Sequence, residues 1–96
     1  MKLRDLLDER RGEVLAAAAR HGATDVRVIG SVARGEDTSA SDIDLLVKWE
    51  PTTSLLDHAG LQLELEGILG RPVDLASDGW LKPAVRENVY RDARPL

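Results

Sequence analysis

The chain has 96 residues, 43% hydrophobic and 31% charged, with a formal charge of −4. That size supports one small soluble domain over residues 1–96, and the acidic balance argues against general affinity for nucleic acid or an anionic membrane. Disulfides and thiolate metal sites are excluded because there is no cysteine.

Leu3, Leu6, Leu7, Val14, Ala17 and Ala18 recur with near-helical spacing and predict one helix ending near His21, with Gly22 as its C-terminal cap. The charged stretch MKLRDLLDERRGEV has no apolar core of a leader peptide, and no segment approaches a membrane span, so a cytoplasmic protein is the expectation. TDVRVIGS then alternates, which places Val26 and Val28 on one face of a strand. SVARGEDTSAS is small and polar and reads as one helical turn followed by a loop.

DIDLLVKWE predicts a second strand stopped by Pro51. Ser54 and Asp57 have capping-box spacing, so a helix should begin there and run to Leu69, with Gly70 and Pro72 ending it. PVDLAS is a short third strand, and Pro83 suits the first turn of a last helix reaching about Tyr90. The order αβ(α)βαβα predicts an α/β (α+β) fold, a small mixed sheet of about three strands packed with helices.

Side chains alternate across a strand, so Asp42 and Asp44 share a face while Ile43, Leu45, Val47 and Trp49 take the core face. Val73 and Leu75 leave Asp74 opposite their own core face. If the two strands are neighbours, three carboxylates converge. Clustered carboxylates repel and invite a cation, and Mg²⁺ suits hard oxygen ligands together with phosphate oxygens. Calcium would bring an EF-hand pattern, which is missing. Gly30 lets a phosphate approach the backbone, and Ser31 offers a hydroxyl and an N–H at the start of a helical turn.

Gly30-Ser31, ten residues, Asp42-Ile43-Asp44 and then Asp74 on a later strand resemble the nucleotidyltransferase pattern of the DNA polymerase β superfamily. Within it the chain is similar to the minimal nucleotidyltransferase (MNT) antitoxins paired with HEPN toxins, through GSVARGE, SDIDLLV, LGRPVDL and LKPAVRENVYRDARPL. The resemblance implies the nucleotidyltransferase fold. It implies that Asp42, Asp44 and Asp74 are catalytic and bind two Mg²⁺ ions, with Asp74 also helping to deprotonate the acceptor. It further implies that Gly30, Ser31 and Arg34 bind the nucleotide.

The implied reaction moves AMP from ATP to a hydroxyl, a tyrosine of the cognate HEPN toxin, in a hetero-oligomer with that toxin. No direct nucleic-acid or membrane binding is expected. The alternatives are a non-catalytic toxin-binding module and a transferase acting on a small molecule such as an aminoglycoside.

Blander roles compete for several residues. Asp42 could cap a turn and Asp44 sit at a strand edge, and Arg34 could form a surface ion pair. Glu36 and Asp37 are expected to be solvated, and His21 and His58 to face solvent from helices. Trp49 reads as structural. Trp80 could stack on a base or a partner, or anchor the last helix. Lys82, Arg86, Arg91 and Arg94 read as a solvated basic face or as a docking segment.

Overall fold

The computed structural model describes residues 2–38 and 40–96, so Met1 and Ser39 of the expected loop lie outside the described residues. The elements in chain order are α1 (Leu3–Glu9), α2 (Arg11–Arg20), β1 (Ala23–Ile29), α3 (Gly30–Arg34), β2 (Ile43–Trp49), α4 (Leu55–Leu69), β3 (Val73–Ser77), α5 (Pro83–Asp92) and β4 (Arg94–Pro95). A 3₁₀ turn, Asp78–Trp80, links β3 to α5.

The strands form one sheet in the order β3-β2-β1-β4. β1 is antiparallel to β2 and β4, whereas β2 and β3 run parallel, so the sheet is mixed. Its core face carries Val26, Val28, Ile43, Leu45, Val47, Val73 and Leu75. Against it pack Leu3 and Leu7 of α1, Val14, Ala17 and Ala18 of α2, and Leu61, Leu65 and Leu69 of α4. The period-two reading of both central strands therefore holds.

Three local expectations need correction. The first helix is two, because Arg10 leaves helical geometry at φ −99° and ψ 10°. The break lets α1 lean on α3 while α2 stays on the sheet. Apolar spacing hides it, since Leu7 and Val14 lie seven residues apart and would share a face of an unbroken helix too.

Second, the sheet has four strands. Arg94 and Pro95 pair with Val28 and Arg27 at the free edge of β1. Leu96 is buried beside them. Third, Asp37 is half-buried, and its carboxylate accepts from the N–H of Leu3 at 3.3 Å, supplying the cap that Lys2 cannot.

The α4 boundaries follow their signals. Ser54 and Asp57 form the reciprocal capping box, and Gly70 closes the helix in the left-handed region. Among the described residues no helix is long and apolar enough to cross a membrane.

Candidate active site

Asp44 is on the face of β2 opposite Leu45, and the parallel ladder sets it directly across from Asp74 of β3. On its other side the antiparallel ladder pairs it with Ile29, the last residue of β1. Gly30 follows immediately and opens α3, so the turn carrying Ser31 starts beside Asp44. Asp42 stands just before β2, two residues from Asp44 and close enough for its charge to act on that carboxyl. The structure thus brings together Gly30, Ser31, Asp42, Asp44 and Asp74, from three strands' ends.

Gly30 is demanded twice over. Its φ is +70°, and a Cβ there would come 3.1 Å from Asp44 Cγ and closer still to Oδ2. Only glycine combines that backbone with that neighbour.

The electrostatics are unfavourable for the bare carboxylates. Burial first, then the charge and hydrogen bonding of Asp74 and the charge of Asp42, holds the Asp44 carboxyl above its ordinary range. The Arg34 cation pulls the other way. Arg34 is itself engaged, with Nε 3.2 Å from Glu36 and Nη1 3.7 Å from Asp92. Of the two expected roles of Arg34 the structure shows the ion pair, at a position close enough to feel the aspartates.

Among the described residues no three carboxylate or imidazole side chains already stand as a closed metal cage. The donor chemistry nevertheless fits a divalent cation. The oxygens are hard, two carboxylates are in hydrogen-bonding reach of each other, and added positive charge would relieve their repulsion. An open cleft of about 350 Å³ adjoins Gly30 and Arg34, with Val85, Asn88 and Asp92 of α5 on its far wall.

Supporting residues without any sequence signal fix this geometry. β3 is an edge strand, and α4 satisfies the backbone of Val73 on its open side. Glu66 accepts from the Val73 N–H at 3.0 Å, and Gln62 Nε2 donates to the Val73 carbonyl at 3.0 Å. Asp74 is the next residue. Arg71 donates to the carbonyl of Ser41 at 3.0 Å, holding the approach to Asp42.

The histidines are placed differently from expectation, whereas Trp49 packs against the core as a structural residue. His58 is half-buried between Trp49 and Trp80, with ring centroids 5.8 and 5.2 Å away. Both Trp49 Nε1 and His58 Nδ1 meet the hydroxyl of buried Ser77. His21 is half-buried and pairs with Glu64 at 3.0 Å. These rings leave the solvent because apolar neighbours and a polar partner are both at hand. Trp80 lies beyond the C-terminal end of β3, at the opposite end of that strand from Asp74. Arg86 stays exposed while it pairs with Asp78 and lies over the Tyr90 ring.

The Nucleotidyltransferase domain family matches residues 11–94, nearly the whole chain. The chain belongs to that family. This nucleotidyltransferase is 32% identical over 87 residues to MJ0435 of Methanocaldococcus jannaschii, a protein adenylyltransferase candidate, covering 91% of this chain and 94% of that one. It is 40% identical over 73 residues to the protein adenylyltransferase MntA of Thermococcus cleftensis, covering 76% of this chain and 74% of that one.

A solved structure of a candidate minimal nucleotidyltransferase superposes with a TM-score of 0.89 at 55% identity, covering 100% of this chain and 97% of the other. A toxin–antitoxin crystal structure with AMP-PNP shares the fold at a TM-score of 0.75 and 19% identity, covering 88% of this chain and 69% of the other.

Proposed function

We propose that this nucleotidyltransferase is a protein adenylyltransferase that uses ATP and Mg²⁺ to modify, and so neutralise, a cognate HEPN toxin. The observation that carries the reading is the Asp44–Asp74 pair beside the Gly30-Ser31 turn: two adjacent carboxylates, one of them packed against the glycine that opens the turn. The relatives add weight, since proteins named as protein adenylyltransferases match most of the chain. The fold also recurs in toxin–antitoxin structures, one of them a variant with two aspartates, one residue apart, changed to glutamate.

In this reading Asp42, Asp44 and Asp74 hold the metal, most of the chain forming the one domain that presents them. Bound Mg²⁺ neutralises charge on the triphosphate and on the departing pyrophosphate. Ser31 and the backbone at Gly30 hold the phosphates, with Arg34 able to exchange a carboxylate partner for a phosphate oxygen. The acceptor is a tyrosine hydroxyl. Its oxygen forms a bond to the α-phosphorus, the bond from that phosphorus to the β-bridging oxygen breaks, and Asp74 takes up the hydroxyl proton.

The test mixes the chain with the product of the neighbouring gene, taken as the candidate toxin, and ATP labelled at the α-phosphate. Label on the toxin that disappears with EDTA, with Asp42→Asn and with Asp44→Asn supports the reading. An unlabelled toxin that the chain still neutralises overturns it in favour of a binding module. Label appearing on an aminoglycoside and not on the toxin replaces the acceptor class.

A further inference from the structure

Two carboxylates share the Arg34 guanidinium and reach it in different ways. Glu36 accepts from Nε at 3.2 Å, on the side edge of the group. Asp92 approaches the terminal nitrogen Nη1 at 3.7 Å, an ion pair too long for a hydrogen bond. Nη1 and Nη2 together form the end-on fork that suits two oxygens of one anion. Glu36 leaves that fork open, and Asp92 stands against it.

The two acids also differ in origin. Glu36 belongs to the turn that follows Arg34 and is tied to it by its own N–H, which donates to the Ser31 carbonyl at 2.9 Å. Asp92 comes from a different element, as the last residue of α5. The chain beyond it is pinned, since Ala93 is buried and Arg94 pairs with Val28 in the antiparallel register of β4 on β1. Continued two residues further, that register brings Asp92 level with Gly30, and both line one cleft with Arg34. Arg34 lies one helical turn beyond Gly30 and Ser31, so its side chain and the opening of α3 share a face.

Asp92 gains nothing from its own helix. The C-terminal end of a helix carries partial negative charge and disfavours an acid. Among the described residues its ion pair is to Arg34.

On the footing of the nucleotide site proposed above, we propose that Asp92 sets the affinity of that site by competing with the triphosphate for the Arg34 fork. An ion pair between half-exposed partners is weak, so a phosphate displaces it at little cost. The phosphate then accepts from both terminal nitrogens and makes the stronger, charge-assisted contact. The same carboxylate, held in place by β4, retakes Nη1 as pyrophosphate leaves. Asp92 thereby trades tight binding of substrate for release of product.

Calorimetric titration of the full chain, in Mg²⁺, with two probes tests this. One probe is α,β-methylene ATP, which cannot transfer AMP, and the other is inorganic tripolyphosphate. Asp92→Asn keeps the side-chain shape, removes the charge, and should bind both probes about 3–5-fold tighter at low salt. The gain should shrink as ionic strength rises. Arg34→Gln should weaken both probes, and in that background Asp92→Asn should change binding by less than ~1.5-fold. The thermal midpoint of Asp92→Asn should hold or rise, because an acid leaves a helix C-terminus.

If wild type binds the probes and Asp92→Asn binds them equally or more weakly, the inference is overturned, the weaker result making Asp92 a support for Arg34. An equal gain in the Arg34→Gln background also overturns it, reducing Asp92 to a distant repelling charge. A wild type that binds neither probe removes the nucleotide site and both readings with it. The predicted binding pattern without label on the toxin upholds the competition and fails only the acceptor assigned above.

Discussion

Gly30 and Asp44 are locked together, because the space a side chain would need at Gly30 is filled by the Asp44 carboxylate. The glycine adopts φ +70°, and its missing Cβ is what lets the Gly30-Ser31 turn start beside Asp44 of β2. Gly30→Ala is expected to cost about 1–3 kcal/mol from the left-handed backbone and the displaced carboxylate. Transfer should fall far more than stability does, since the change moves Asp44 itself. Chemical denaturation alongside label transfer checks this; a fully active, fully stable variant would mean the two residues are not coupled.

Asp44 should destabilise the metal-free protein at neutral pH. Its proton affinity is raised in the fold, by burial and then by Asp74, so the folded state binds more protons than the unfolded one above the ordinary carboxylate range. The Asp44 contribution to stability is thus complete below pH 3.8, the unperturbed value, and falls as pH rises through the elevated folded value. Asp44→Asn should raise the metal-free melting temperature at pH 7, flatten that part of the pH profile and abolish transfer. It should also remove the stabilisation that Mg²⁺ gives wild type. Thermal scans across pH, with and without Mg²⁺, separate these effects, and an unchanged Mg²⁺ response in the variant would count against Asp44 as a ligand.

Glu66 has a positional role that its chemistry alone does not reveal. Its carboxylate is the partner of the Val73 N–H on the open edge of the sheet, one residue before Asp74. Glu66→Ala should cost about 1–3 kcal/mol through the unsatisfied amide and let β3 shift. Glu66→Gln keeps an acceptor oxygen and should recover most of the loss. The reading requires lowered kcat in the alanine variant with rescue by glutamine. Equal damage from both would point to the charge instead.

What was legible in the sequence, and what was not, follows from the range of the interactions. Asp42, Asp44 and Asp74 could be assigned to one face because strand alternation is rigid, and the parallel register then set Asp44 against Asp74. The α4 boundaries were legible because Ser54, Asp57 and Gly70 act within one turn of themselves. By contrast, β4 has two residues, one a proline, and no period can show in so short a run. The break at Arg10 leaves apolar spacing unchanged. Asp37 capping α1 and Glu66 gripping Val73 join positions 34 and 7 residues apart through tertiary folding, which no local pattern encodes.

The Ser77 hydroxyl shows the same limit on the far side of the sheet and yields the last prediction. It is buried at the end of β3 and joins two rings: the Trp49 indole N–H donates to it at 2.8 Å, and His58 Nδ1 lies 3.1 Å away. A hydroxyl has one proton and two acceptor sites. With Trp49 occupying one acceptor site, the Ser77 proton is free for a neutral His58 Nδ1. Ser77→Ala removes both bonds at once from half-buried groups and should cost about 1–3 kcal/mol. Because His58 also stacks on exposed Trp80, the loosened ring should change the tryptophan emission at native concentrations of denaturant. Catalysis, at the other end of β3, should be spared. A variant that keeps its stability would show that water replaces the hydroxyl, whereas one that loses transfer without losing stability would tie this cluster to the site.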